Sequence, residues 1–129
     1  MIGLISTTDR LHEISRQVFE LIKSNDLKNI YFPSSAFLEY ELVLKSQNIA
    51  DNDILKDIIH FQNIENVKEI PLDSSIIISA SKLREEHGLT YFNSLHCACA
   101  LQTDQKMIST DKAIMNLEIL EVIDPKSLI

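Results

Sequence analysis

Glycine is scarce in this 129-residue chain, which has two, Gly3 and Gly88, together with three prolines. No Gly/Ser/Pro linker divides it, and it carries no internal repeat and no low-complexity stretch. One compact domain over residues 1–129 is therefore expected, a length that suits a single core. No apolar run approaches the ~18 residues of a membrane span. The opening MIGLISTTDR lacks the basic region and long apolar stretch of a secretory signal. Cysteine occurs twice, at Cys97 and Cys99. Two positions apart on a helix, their side chains point about 200° away from each other and cannot pair within it. Reduced thiols and a cytoplasmic setting are the expectation. Basic residues are also few, 12 against 19 acidic, for a formal net charge of -7, and no cluster of four or more Lys/Arg occurs. Such a chain does not coat nucleic acid by bulk electrostatics. What stays open is local holding, through a metal ion that bridges carboxylates to phosphate.

Hydrophobic residues make up 45% and charged residues 24%, the balance of an ordinary globular domain. Their pattern alternates short strands with amphipathic helices. Leu11, Ile14, Val18, Leu21 and Ile22 recur at helical spacing and predict a helix over 11–23. Residues 29–32 form a β-prone run stopped by Pro33. Ser34 or Ser35 is then expected to cap an apolar helix over 36–46. Asp51 or Asn52 caps a helix that reaches about 61, and 67–70 reads as a strand stopped by Pro71. Asp73 or Ser74 opens a helix to His87, which Gly88 ends. Thr90 caps a helix over 91–103, 106–110 is a strand, 111–117 a short helix and 120–123 a last strand. Strands separated by helices imply a mainly parallel sheet flanked by helices on both faces. Sites in such sheets gather at the C-terminal ends of the strands.

Two acids follow strands directly. Glu39 lies early in an apolar helix with Leu42 and Val43 at its i+3 and i+4 positions, so no basic partner stands beside it. The helix dipole, a hydrogen-bond donor or a metal must stabilise it. Glu41 differs, because Lys45 four residues on offers an ordinary helical ion pair. Asp111 sits where a strand becomes a helix, as an N-cap or a metal ligand. Asn93, His96, Cys97 and Ala100 share one face of the 91–103 helix. The Cys97/Cys99 spacing is wrong for a zinc chelate, and adjacent His96 and Cys97 diverge too far for a nucleophile–base pair. His96 reads as a hydrogen-bonded histidine at the sheet edge.

The segments SSAFLEYELVLKS, GLTYFNSLHCACAL and MISTDKA, in that order, resemble the PIN-domain family, especially its archaeal and VapC-toxin-like members. The resemblance implies a three-layer α/β sandwich and RNA cleavage with Mg²⁺ or Mn²⁺ held by four acidic residues. Hard cations of this kind prefer oxygen ligands and activate water. Residue by residue, the family's glutamate falls on Glu39 and its last aspartate on Asp111, with Thr110 beside it. Its third acid falls on Asn93, an amide that brings no negative charge and cannot act as a base. Its first aspartate would lie just before Met1, since residues 2–13 read like the segment that follows it. Alternatively residues 1–6 form that first strand and Asp9 substitutes.

These residues define the expected site: Glu39, Asp111 and Asn93 as the catalytic set, with Glu39 and Asp111 as metal ligands and Mg or Mn binding weak or absent. The leading expectation is a PIN-like protein with an incomplete acidic site, catalytically weak or inactive. The alternatives are an active Mg/Mn-dependent endoribonuclease of the VapC-toxin kind and an unrelated α/β interaction module. RNA, an antitoxin protein and a second copy of the chain are the partners implied, with no membrane.

Overall fold

A computed structural model describes residues 17, 20–24, 30–65, 67–109 and 111–128. Residues 17 and 20–23 are helical, within the expected 11–23 helix, and Ile22 of its apolar stripe is fully buried. Residues 1–6, Asp9 and Thr110, each named above, lie outside the described residues.

The described elements alternate as the hydrophobic pattern implies. They are β1 (Ile30–Pro33), α1 (Ser34–Ser46), α2 (Asp51–Gln62), β2 (Val67–Ile70), α3 (Ser74–His87), α4 (Tyr91–Gln102), β3 (Lys106–Ile108), α5 (Lys112–Met115) and β4 (Glu121–Ile123). A 3-10 turn, Pro125–Leu128, follows and was not expected. Asp124 starts it by accepting the Lys126 backbone N–H at 3.0 Å. The strands pair in parallel as two pairs. Ile30 to Pro33 lie opposite Val67 to Ile70 in one, and Lys106 to Ile108 opposite Glu121 to Ile123 in the other. Pro33 was expected to stop β1 and instead forms its last residue, a place where a missing N–H costs little.

The helix starts correct three expected caps. Pro33, not a serine, occupies the N-cap of α1, because both hydroxyls are engaged elsewhere. Ser34 donates across to β2, to Glu69 Oε2 at 2.9 Å or the Ile70 carbonyl at 3.0 Å, and Ser35 turns inward to His96. Ala50 stands at the N-cap of α2, with Asp51 and Asp53 in the first turn, where the dipole favours acids. Thr90 holds the N-cap position of α4 but its side chain makes no cap bond. Asp73 and Asp111 do cap as read, accepting the N–H of Ile76 at 3.0 Å and of Ala113 at 2.8 Å.

Helix α4 is the centre of the core. Its residues from Asn93 to Ala100 are all buried, as befits a helix that is apolar on most sides. Ile76, Ala80 and Leu83 of α3 recur at helical spacing and join Leu95, Cys97, Ala98 and Cys99 of α4, with Ile114 and Leu120 beyond. A smaller aromatic cluster lies to one side. Phe37 stacks on Phe61 with ring centroids 6.4 Å apart, and Tyr40 meets Phe61 edge-on at 5.8 Å. The Tyr40 hydroxyl donates to Asp57 at 2.6 Å.

Gly88 has φ +65 and ends α3 in the left-handed conformation. A Cβ placed there would meet nothing within 4 Å, so only backbone strain opposes a side chain. Gly88→Ala is therefore expected to cost about 1–2 kcal/mol. Urea unfolding measures it, and an unchanged midpoint refutes the argument.

Candidate functional site

Polar residues enter this apolar core along one face of α4, and each has an identifiable partner. Asn93 and His96 lie three positions apart, so they share that face about 4.5 Å apart along the axis. Asn93 is buried, and its Nδ2–H donates to Asp111 Oδ2 at 3.1 Å. The amide must point this way round, because a carboxylate only accepts. Asp111 Oδ1 accepts the Ala113 N–H at 2.8 Å, and the Asp111 N–H donates to Ser109 Oγ at 3.0 Å. The carboxylate thus caps α5 and ties that cap to α4.

One turn along, the His96 ring is 4% exposed and lies between two residues of α1. Its Nδ1 stands 2.9 Å from Ser35 Oγ, and its Nε2 stands 3.4 Å from Glu39 Oε1. Ser35 and Glu39 are i and i+4 on α1, hence on one face. The contact with Glu39 would be an ion pair only if the imidazole were protonated. Burial lowers the His96 pKa, with the Glu39 hydrogen bond working against it, and burial is the larger effect. The ring is therefore neutral at neutral pH and the contact is a long hydrogen bond.

The expected site residues are thus gathered around α4: Glu39 through His96, and Asp111 through Asn93. Glu41 stands apart and pairs with Lys45 at 2.9 Å, as its spacing implies. His96 is hydrogen-bonded as read. Ser35, expected as a possible cap, is instead the buried partner of His96. The signal was available in the Ser35/Glu39 pair, a polar i, i+4 stripe on an otherwise apolar helix. Asp9 and Thr110 lie outside the described residues.

A divalent cation does not fit these residues as they stand. Mg²⁺ needs near-octahedral oxygen ligation and carboxylate charge to hold it. Among the described residues no three His, Cys, Asp or Glu side chains group to hold a metal. The Asp111 carboxylate accepts from the Asn93 amide and from the Ala113 N–H, so Asn93 meets it as a neutral donor and adds no charge.

Cys97 and Cys99 are free and buried. Burial, aided by the Asp111 charge for Cys97 and the Asp73 charge for Cys99, pushes both thiols up to about 11. Neither is a reactive thiolate at neutral pH. The folded protein is expected to react with a thiol reagent at least about tenfold more slowly than the urea-unfolded chain. Prompt labelling of either cysteine in the native state contradicts this.

A cleft of about 720 Å³ lies beside His96. Tyr31 and Pro33 of the first strand pair and Met107 and Ile123 of the second line it, over Cys99 and Ala100. Among the described residues no helix is long and apolar enough to cross a membrane.

Parallel strand pairs, flanking helices and polar residues drawn to one buried helix define an α/β domain. The family model for the PIN domain matches residues 1–120, and the chain belongs to the PIN-domain family. None of the curated proteins compared with the chain matches it.

Proposed function

We propose that this chain is a single-domain, cytoplasmic PIN-like protein whose acidic site is incomplete, and that it acts through binding or assembly with little or no nuclease activity. The observation that carries the reading is the Asn93 Nδ2–H donated to Asp111 Oδ2 at 3.1 Å. A hydrogen-bond donor stands where family members carry a third acid. The local cluster then brings only two carboxylates, and a metal that contributes several kcal/mol to a nuclease transition state has too few ligands. Calorimetric titration with Mn²⁺ tests this: weak or undetectable binding is expected, and tight binding refutes it.

A second reading, an active Mg/Mn-dependent endoribonuclease of the toxin kind, draws support from Glu39 and Asp111 both engaging α4. It needs further carboxylates, of which Asp9 is the first to mutate. RNA and an antitoxin protein would be its partners. The net charge of -7 gives RNA no broad electrostatic attraction.

Assembly is proposed as a homodimer. Leu38 and Leu42 of α1 are 44% and 51% exposed, and Leu55 and Ile59 of α2 are 55% and 46% exposed, each pair one turn apart. Such a surface favours association. Sedimentation is expected to show a dimer, and monomer alone at high protein concentration would refute it.

A further inference from the structure

We propose that His96 is a positioning residue for Glu39, in a relay that runs Ser35–His96–Glu39 with the imidazole in its Nε2–H form. A carboxylate only accepts hydrogen bonds, so the contact at 3.4 Å requires the proton on Nε2. A neutral ring has one N–H, so Nδ1 must accept, and the Ser35 hydroxyl at 2.9 Å supplies its proton. The three groups thus fix one another's direction. Glu39, which only accepts, sets the tautomer, and the Ser35 hydroxyl matches it by donating to Nδ1. The Ser35 and His96 side chains are buried, and Phe92 packs against the ring with centroids 6.3 Å apart.

The relay makes the two halves of the site alike. Asp111 receives the Asn93 amide, and Glu39 receives the His96 imidazole, so a neutral protein donor faces each carboxylate. A hard cation would have to displace or bypass both. The functional weight of this rests on the proposed reading of Glu39 as a site residue, whereas the relay itself stands on the hydrogen-bond chemistry alone.

Long-range proton–nitrogen NMR of the ¹⁵N-labelled full chain reads the tautomer, with His96→Gln assigning the ring among the four histidines. The expected result is a neutral ring protonated at Nε2. Ser35→Ala leaves the imidazole and Glu39 in place, so the ring is expected to stay protonated at Nε2 while the Nδ1 resonance moves as its donor is lost. The Glu39 carboxyl ¹³C resonance should shift in His96→Leu and return towards its natural position in His96→Gln, whose amide keeps a donor near the site of Nε2. A purely structural histidine would give no such return. A ring protonated at Nδ1, or a Glu39 resonance indifferent to both His96 variants, overturns the relay. If His96→Leu does not fold, the Ser35→Ala spectrum decides alone. Tight Mn²⁺ binding by calorimetry with the Nε2–H tautomer intact would refute the proposed function and leave the relay standing.

Discussion

Leu95→Ala is expected to lower the stability of the folded chain by about 2–5 kcal/mol. Leu95 is 1% exposed and sits mid-way along α4, facing the core shared with α3. Leu95 shares its buried cluster with Ile76, Ala80 and Leu83 of α3. Whatever part of the void these neighbours fail to close adds a cavity cost to the lost transfer free energy. For a domain of this size the loss is a large fraction of the whole. Urea unfolding of the two proteins measures it, and a loss below about 1 kcal/mol would mean the core repacks around α4. Ile78→Ala is the control. Ile78 of α3 is 58% exposed, and a change within about 0.5 kcal/mol is expected there.

The order of elements was legible because each carries its period over enough residues. The segments of α3 and α4 are long, strongly apolar and bounded by turn residues, and their predicted limits agree with the structure to about one residue. The strand at Val67–Ile70 was read with its observed limits, since Pro71 marks its end. The helix starts were less legible. A serine after a strand reads as a cap from sequence alone, yet Ser34 and Ser35 both find stronger partners far along the chain, 35 and 61 residues away. Local pattern contains no information about such partners. The same limit applied to the site. Glu39 was identified as an acid in need of a donor, the dipole or a metal, and the donor turned out to be a histidine 57 residues on. Asp111 was read as either cap or ligand, and its carboxylate does cap α5 with one oxygen while its other oxygen meets Asn93. Periodicity places each residue on a face, but only the packing of α1 and α5 against α4 brings those faces together.

Asn93→Asp is expected to destabilise the metal-free protein by about 1–3 kcal/mol at pH 7 and to tighten Mn²⁺ binding. In the natural chain the Asn93 amide donates to Asp111 at 3.1 Å. The substitution is nearly isosteric, so packing is preserved while a donor becomes an acceptor. Two carboxylates then face each other at hydrogen-bond distance, one of them at a position 6% exposed. Like charges this close cannot both stay ionised cheaply, and the pair is expected to hold one proton at raised pKa. The sign follows from linkage. The folded pair binds its proton at a pH where the unfolded carboxyls have released theirs, so the variant loses stability as pH rises through the folded value. The deficit relative to the natural protein should therefore be widest at pH 7 and above, and narrow as pH falls towards 5. A divalent cation can take the proton's place. The substitution raises the carboxylates around α4 from two to three, and carboxylate charge is what these cations rely upon. Mn²⁺ should then raise the melting temperature of Asn93→Asp by mass action and leave that of the natural protein unchanged. Thermal melts at pH 5 and pH 7, with and without Mn²⁺, read all four states. An unchanged melting temperature at pH 7 without metal would show that the Asn93–Asp111 bond contributes nothing to stability. An equal Mn²⁺ response from both proteins would show that the third carboxylate is not what the site is missing.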